Sequence, residues 1–395
     1  MKIKIFLIFI LSFFLYSCNQ ENNNPLQPEQ KVLISSEYRK EFTIDELQQL
    51  STVLGLSLDF KHPIDAYKIV YYTKDAMGSQ MKASGLILIP KNIDVTPSII
   101  SFQHGSYSKK SDGAASNLGF AGIEALYPAA NGYIVFAADY IGFGESADRF
   151  HPYHHYKSTV NACIDMLRAG YEFLNQKKIQ FEKRLFLMGY SQGGYSSIAL
   201  NKAITELYSS EFTITATSAG AGAYNLYDAA NHYLNEKYVD YPCFIPYVLL
   251  GFEAGEKITF DLSKIFNPPY DTRIRSLFDG NSDLFQINSK LSYSIKILMK
   301  QSFLDSFNSD GEQEIKNLLS QNSVDNWLPK NPVLLYHSTG DEVVPYSISE
   351  KTYEKFRQSG NKNLKLEILQ NNGISHEEAF ILWLEYSMNF FKEFR

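Results

Sequence analysis

The stretch FLMGYSQGGYSS, Phe186 to Ser197, sets one serine, Ser191, between Gly189 and Gly193. The run before it, RLFLMG (184–189), is short and almost wholly apolar, the pattern of a strand buried on both faces. The residues after it read as a helix. A G-x-S-x-G sequence between a strand and a helix marks a sharp corner where the serine hydroxyl projects at the sheet edge and the glycines relieve crowding. The helix N-terminus behind it favours negative charge. Ser191 either caps that helix or attacks a substrate. The second role requires a base, an orienting acid and donors for an oxyanion elsewhere in the chain.

Outward from this corner, short apolar strands alternate with helices: SIISF (98–102), YIVFAAD (133–139), a helix from about Ser158, the 184–189 strand, another helix, and TITATSA (213–219). Val160, Ile164, Leu167, Tyr171 and Leu174 form one apolar stripe on the helix after Ser158. Such alternation predicts a parallel sheet covered on both faces. Upstream, AYKIVYYTKDAMGSQMKASGLILIP holds two β-rich runs, 67–73 and 81–89, around Gly78, which predicts an antiparallel hairpin. Before it, Thr43 and Glu46 form a capping box, with Phe42 and Leu47 as a hydrophobic staple.

The rhythm breaks after Ala219, and the next strand-like run, PVLLYHS, begins only at Pro332. Connections in α/β units are typically a few residues long, so the aromatic-rich interval is read as a helical cap inserted over the C-terminal edge of the sheet. Its apolar run Cys243–Phe252 is too short to span a membrane and is read as a helix buried in that cap, with an acyl-contacting surface as the alternative. Beyond 338 follow a helix near 347–357, a strand at LKLEIL (364–369) and a last helix from about Glu377.

The base is expected downstream of Ser191. His376, in NNGISHEEAF, lies just before the last helix, whereas His337 falls inside a strand pattern and is assigned a structural role. The orienting acid should follow a strand between the two. Asp341 of LLYHSTGDEVVP fits, with Glu342 beside it as a rival and Asp139 as a lesser one. Ser191, Asp341 and His376 occur in the chain order this elbow predicts. An acid at 341 would hold His376 in the tautomer that accepts the serine proton. For the oxyanion, SFQHGSYS offers backbone donors after a strand: Ser106, with Gly105 as the alternative, would act with Gln192, while His104 braces the loop. Asp139 and Glu145 are expected to fix the neighbouring loop. His151, His154 and His155 lie in the irregular run RFHPYHHYKS. Loop packing is the leading reading for them, then pocket lining, and a metal site the weakest.

Taken together these residues resemble the α/β-hydrolase family. The H-G loop at 104–105, DYIGFGES (139–146), the Ser191 elbow, TGDEVVP and the late SHEEA agree with it in type and order over roughly residues 65–395, without detailed correspondence in the cap. Within the family, the hairpin sequence, the Q-H-G loop and G-Y-S-Q-G-G look most like secreted lipases and esterases of the secretory-lipase type. The resemblance implies an α/β-hydrolase fold and cleavage of a small-molecule or lipid carboxylic ester through an acyl-enzyme, without cofactor or metal. The same machinery serves peptidases and polysaccharide-linked esterases such as feruloyl or acetyl esterases. A non-catalytic binding protein on this fold is a further alternative, against which the intact Ser–Asp–His set counts.

Composition sets the remaining bounds. The 395 residues are 45% hydrophobic with a net charge of −6 and no dominant basic block, which counts against nucleic acid as a partner. The 27 Tyr and 28 Phe favour an apolar pocket as well as a core. The N-terminus, MKIKIFLIFILSFFLYSCNQENNN, has a positive start and an apolar run that stops at Cys18. It looks like a bacterial lipoprotein signal: residues 1–17 are removed, Cys18 is lipidated, and 18–35 tether a catalytic domain (36–395, cap 220–330) to the cell envelope, at the outer membrane or in the periplasm. Ordinary signal cleavage nearby is the alternative. Cys163 and Cys243 are too few for a disulfide framework; Cys163 is read as a small buried residue, and a single bridge between the two is the alternative.

Overall fold

The 185–190 run lies inside a nine-stranded sheet formed by the described residues of the computed structural model. These are 31–395 except 114, 116, 117, 119–122, 359, 371 and 372. Val32–Arg395 is one compact unit. The chain enters through edge strand β1 (Leu33–Phe42), α1 (Ile44–Val53) and the hairpin β2 (Ile64–Lys74) and β3 (Gln80–Pro90). It then runs through β4 (Ile99–Gln103), α2 (Ile123–Ala130), β5 (Ile134–Ala138), α3 (Tyr156–Lys177), β6 (Leu185–Tyr190), α4 (Gln192–Leu207) and β7 (Ile214–Gly220).

Eight helices follow without a strand: α5 (Leu226–Asn235), α6 (Phe244–Glu256), α7 (Leu262–Ile265), α8 (Tyr270–Leu277), α9 (Leu284–Asn288), α10 (Ile295–Leu298), α11 (Gln301–Phe307) and α12 (Gln313–Gln321). The chain returns to the sheet with β8 (Val333–Ser338), α13 (Ser347–Arg357), β9 (Leu364–Leu369) and α14 (His376–Lys392). The spatial order is β1-β2-β3-β5-β4-β6-β7-β8-β9, with the β1–β2, β2–β3 and β3–β5 pairs antiparallel and all pairs from β5 to β9 parallel. This is the α/β-hydrolase fold.

Period-two alternation sorts the strand side chains into two cores. Ile99, Leu185 and Leu187 join α3 and α4 on one face. Ile100, Phe102, Phe186 and Met188 join α1, α2 and α14 on the other. Of the predicted stripe on α3, Val160, Ile164, Leu167 and Leu174 are buried, and Tyr171 packs partly buried at its margin. The inserted helices share the first core: Leu234, Phe252, Leu298 and Leu319 lie in the same cluster as Ile164 and Leu187. The insertion is therefore welded to the sheet body by common apolar burial.

Thr43 caps α1 through a capping box with Glu46, and Phe42 and Leu47 are buried in one cluster. One boundary needs correction. The tether was expected to reach residue 35, but β1 begins at Leu33 and pairs along β2, and Glu172 accepts the Val32 and Leu33 N–H groups. Its side chains are mostly exposed, as at a sheet edge, so it carries no apolar alternation to read. Helix α2 also went unpredicted, with Pro128 inside it. Cys163 and Cys243 are both free and buried, so no bridge joins them. The proposed signal, Cys18 and the tether up to residue 30 lie outside the described residues.

The corner after β6 has room for backbone only. A Cβ on Gly193 would stand 2.0 Å from the Gln103 carbonyl oxygen, and one on Gly189 would stand 2.3 Å from the Gly193 oxygen. These neighbours are main chain and cannot rotate away. Gly193→Ala is expected to lower stability by about 1–3 kcal/mol, read as a reduced urea midpoint at unchanged slope. An unaltered midpoint would show that the corner relaxes freely.

Candidate active site

Ser191 occupies the residue between β6 and α4, with φ 57° and ψ −121°. A serine at positive φ is held there only by its surroundings. Its N–H donates to the Gly220 carbonyl at 2.9 Å, anchoring the corner to β7. The hydroxyl makes no hydrogen bond among the described residues, and Ser191 lines an apolar cavity. Gln192 is the first residue of α4, so its N–H has no acceptor inside the helix.

His376 opens α14 behind the N-cap Ser375, which forms a capping box with Glu378. Tyr190, the residue before the serine, donates from its hydroxyl to the His376 carbonyl at 2.9 Å and lays its ring 5.0 Å from the imidazole. The imidazole Nδ1 meets Asp341 Oδ2 at 2.6 Å. With Nδ1 donating to a carboxylate, a neutral His376 keeps its lone pair on Nε2. Glu342 instead accepts the His376 backbone N–H at 3.0 Å. Asp139, the other rival, takes the Ser84 hydroxyl at 2.5 Å and the Ala115 N–H at 2.8 Å. The structure thus brings Asp341 and His376 into contact, with Tyr190 linking them to the serine; the described residues include no direct Ser191–His376 hydrogen bond.

Asp341 is a hub. Its Oδ1 accepts the Val343 and Val344 N–H groups at 2.8 and 2.7 Å, and its Oδ2 also faces His337 Nε2 at 3.1 Å. Burial alone would raise its carboxyl, but the charge of His376 and the hydrogen bonds from His337 and His376 outweigh burial. The carboxyl is held well below its usual range. His337 lies within β8 as expected, yet it also reaches Asp341, a contact that its place in an apolar strand does not announce. Its Nδ1 meets Ser349 at 2.7 Å.

The H-G loop follows β4. His104 braces it, facing the Gly105 and Asp139 carbonyls at 2.7 and 3.2 Å between the rings of Tyr107 and Tyr140. Gly105 forms a backbone hydrogen bond to Glu124, whose carboxyl burial pushes up to about 7. The Ser106 hydroxyl bonds the Tyr153 hydroxyl at 2.8 Å. Glu145 pairs with Lys68 at 2.6 Å.

The three clustered histidines diverge. His151 bonds the Ile141 carbonyl at 2.7 Å and the Gln192 side-chain amide at 2.8 Å. His155 caps α3 and meets Glu256 at 2.9 Å. His154, at φ 52°, lines the cavity with its Nδ1 buried and unpartnered, its ring edge-on to Tyr195. Among the described residues no three His, Cys, Asp or Glu side chains are grouped to hold a metal ion.

Above Ser191 opens a cavity of about 910 Å³, its open mouth included. Its walls are Leu226, Ala229, Ala230 and Leu234 of α5, Phe244 and Val248 of α6, and Phe303, Phe307 and Leu319 further on. Tyr153, His154 and Gln192 mark its polar end beside the serine. That shape suits an aliphatic chain with one reactive group at its end.

With this geometry in view, the likenesses to known proteins are informative. Residues 118–382 match the secretory lipase family model, about two thirds of the chain. The chain belongs to the secretory lipase family. The family's name agrees with the class the resemblance implied. It is 25% identical over 203 residues to a secreted triacylglycerol lipase of Malassezia furfur, a match covering 50% of this chain and 40% of that lipase. The chain thus spans less than half of that relative's length. In structure it resembles a putative hydrolase from Legionella pneumophila, with TM-score 0.84, 24% identity, and coverage of 92% of this chain and 98% of that one. It also resembles the rice cell wall degrading esterase LipA of Xanthomonas oryzae, with TM-score 0.79, 22% identity, and coverage of 93% and 100%.

Burial lowers His104 to about 4 and His151 and His154 to about 3. A histidine depressed in the folded state takes up its proton first in the unfolded chain. Its stabilising share is therefore complete above the unfolded value of about 6.5 and is lost as pH falls toward the folded one. The ring Nδ1 of His154 is buried without a partner, so His154→Phe keeps a ring while removing the titration. Between pH 7 and pH 4 the variant should lose less of its urea midpoint than the parent. Parallel losses would show that His154 does not contribute to the acid sensitivity.

Proposed function

We propose that the chain is an exported serine hydrolase that cleaves carboxylic esters with aliphatic acyl groups. Ser191 Oγ attacks the carbonyl carbon while His376 Nε2 takes its proton, and Asp341 stabilises the imidazolium that forms. The oxyanion is held by the backbone N–H groups of Gln192 and Ser106, and the positive end of α4 adds to them. On collapse the C–O bond to the alcohol breaks, and His376 returns its proton to the departing oxygen. An acyl group remains on Ser191. Water then attacks the acyl-enzyme, giving its proton to His376, and the acid leaves as the serine is reprotonated. The observation that carries this reading is the 2.6 Å contact of His376 with Asp341 beside a strained serine that opens onto an apolar cavity.

Ser191→Ala is expected to lower kcat on p-nitrophenyl esters by about 10⁴-fold or more, with an unchanged thermal midpoint. Across a ladder from acetyl to palmitoyl esters, kcat/KM of the parent should peak at an aliphatic acyl chain longer than acetyl and exceed that for feruloyl esters. Near-normal turnover by the alanine variant would remove Ser191 from the mechanism. A peak at acetyl or feruloyl would remove the aliphatic assignment.

Export and anchoring rest on the sequence of residues 1–18 and on likeness to a secreted lipase. The apolar run ending at Cys18 supports removal of residues 1–17 and lipidation of Cys18, which would hold the enzyme at the bacterial envelope. In a bacterial host, radiolabelled palmitate should enter the full chain and not Cys18→Ala. Equal labelling of both would exclude this anchor.

A further inference from the structure

Ser191 is fixed by the sheet, through the Gly220 carbonyl and the crowding of Gly189 and Gly193 against main chain. The other two parts of the site lie on loops that reach away from the sheet, and the inserted helices grip both. Tyr247, on α6, donates from its hydroxyl to the Tyr107 carbonyl at 2.6 Å, one residue past Ser106. Its ring also stacks on Tyr153 at 4.2 Å, and Tyr153 in turn holds the Ser106 hydroxyl. Ser108 and the Lys110 N–H reach the Ser282 and Gly280 carbonyls at 2.9 Å, so this loop is tied to the insertion at several points.

On the other side, Tyr233 of α5 donates its hydroxyl to the Val343 carbonyl. Val343 belongs to the turn whose N–H groups hold Asp341 Oδ1. Burial lifts both phenols well above their ordinary range, so each stays a protonated donor.

We propose that Tyr233 and Tyr247 are positioning residues, each tying one catalytic loop to the inserted helices, so that the insertion is a fixed part of the catalytic apparatus. This rests on Ser191, His376 and Asp341 acting as proposed above. Tyr247 sets where the Ser106 N–H points, and Tyr233 sets the turn that aims Asp341 at His376. Neither touches the reacting atoms. Their loss therefore acts on the chemical step for every ester, including one too short to reach the cavity walls.

The test compares Tyr233→Phe and Tyr247→Phe with the parent and with Tyr238→Phe, a change at an exposed tyrosine of the same insertion. The substrate is p-nitrophenyl acetate, and turnover is expressed per site titrated with a fluorophosphonate probe, which removes unfolded protein from the count. Loss of a neutral hydrogen bond to a positioned loop should lower kcat, and the rate of probe labelling, by about tenfold in each variant. KM should stay within about twofold, and Tyr238→Phe should match the parent. Parental kcat in both phenylalanine variants overturns the inference, as does an effect seen only in KM for long acyl chains, which would make the tyrosines cavity wall alone. If the parent is not labelled at Ser191, the proposed function falls and takes this inference with it. A labelled parent with unaltered variants removes the inference alone.

Discussion

Close approach of main chain to main chain after β6 is the constraint on which the site depends. Three backbones, from β4, β6 and β7, converge there, with the Gln103 and Gly220 carbonyls where side chains of residues 189, 193 and 194 would otherwise be. Such proximity turns the chain through a positive φ at Ser191 and starts α4 immediately. The strain is maintained by packing on every side, and it leaves the serine hydroxyl with no local partner. Tyr190, one residue earlier, transmits the same constraint to α14 by holding the His376 carbonyl. Ser191 and the start of α14 are thus fixed from one strand end.

Electrostatics at the acid loop follow from a different economy. The Asp341 side chain is wholly enclosed, and an isolated carboxylate there would be expensive to ionise. Two backbone N–H groups and two imidazoles satisfy its oxygens, so the charged form is favoured despite burial. A charge stabilised in this way cannot readily be supplied by Glu342, whose carboxylate lies against the backbone at the start of α14. The adjacent acids therefore differ in role: one faces the imidazole, the other caps the helix that carries it.

Much of this was legible in the sequence because the relevant signals are local. Apolar runs gave β4 to β9, the Thr43–Glu46 box gave α1, and glycine spacing around Ser191 gave the corner. What escaped notice depends on contacts distant in sequence or on elements with weak patterning. β1 is an exposed edge held by backbone pairing and by Glu172, neither of which leaves an apolar period. The bonds from His337 to Asp341, from His151 to Gln192 and from Tyr233 to Val343 join residues whose types fit many roles. A tyrosine in an aromatic-rich insertion reads as core until the fold shows where its hydroxyl ends.

Apolar walls and neutral polar groups together set the electrostatics around Ser191. His104, His151 and His154 stand around the serine corner, and burial keeps all three uncharged at neutral pH. Had any of them been protonated, a buried cation near the serine corner would oppose the imidazolium of the proposed mechanism. Their neutrality leaves Asp341 as the charge that faces the His376 imidazole. The cavity lining adds no competing ion, since the residues on α5, α6 and α11 that face it are aliphatic or aromatic. In the proposed mechanism, charge generated at Ser191 would be met by oriented N–H groups and one carboxylate beside an apolar cavity, where fixed dipoles act most strongly.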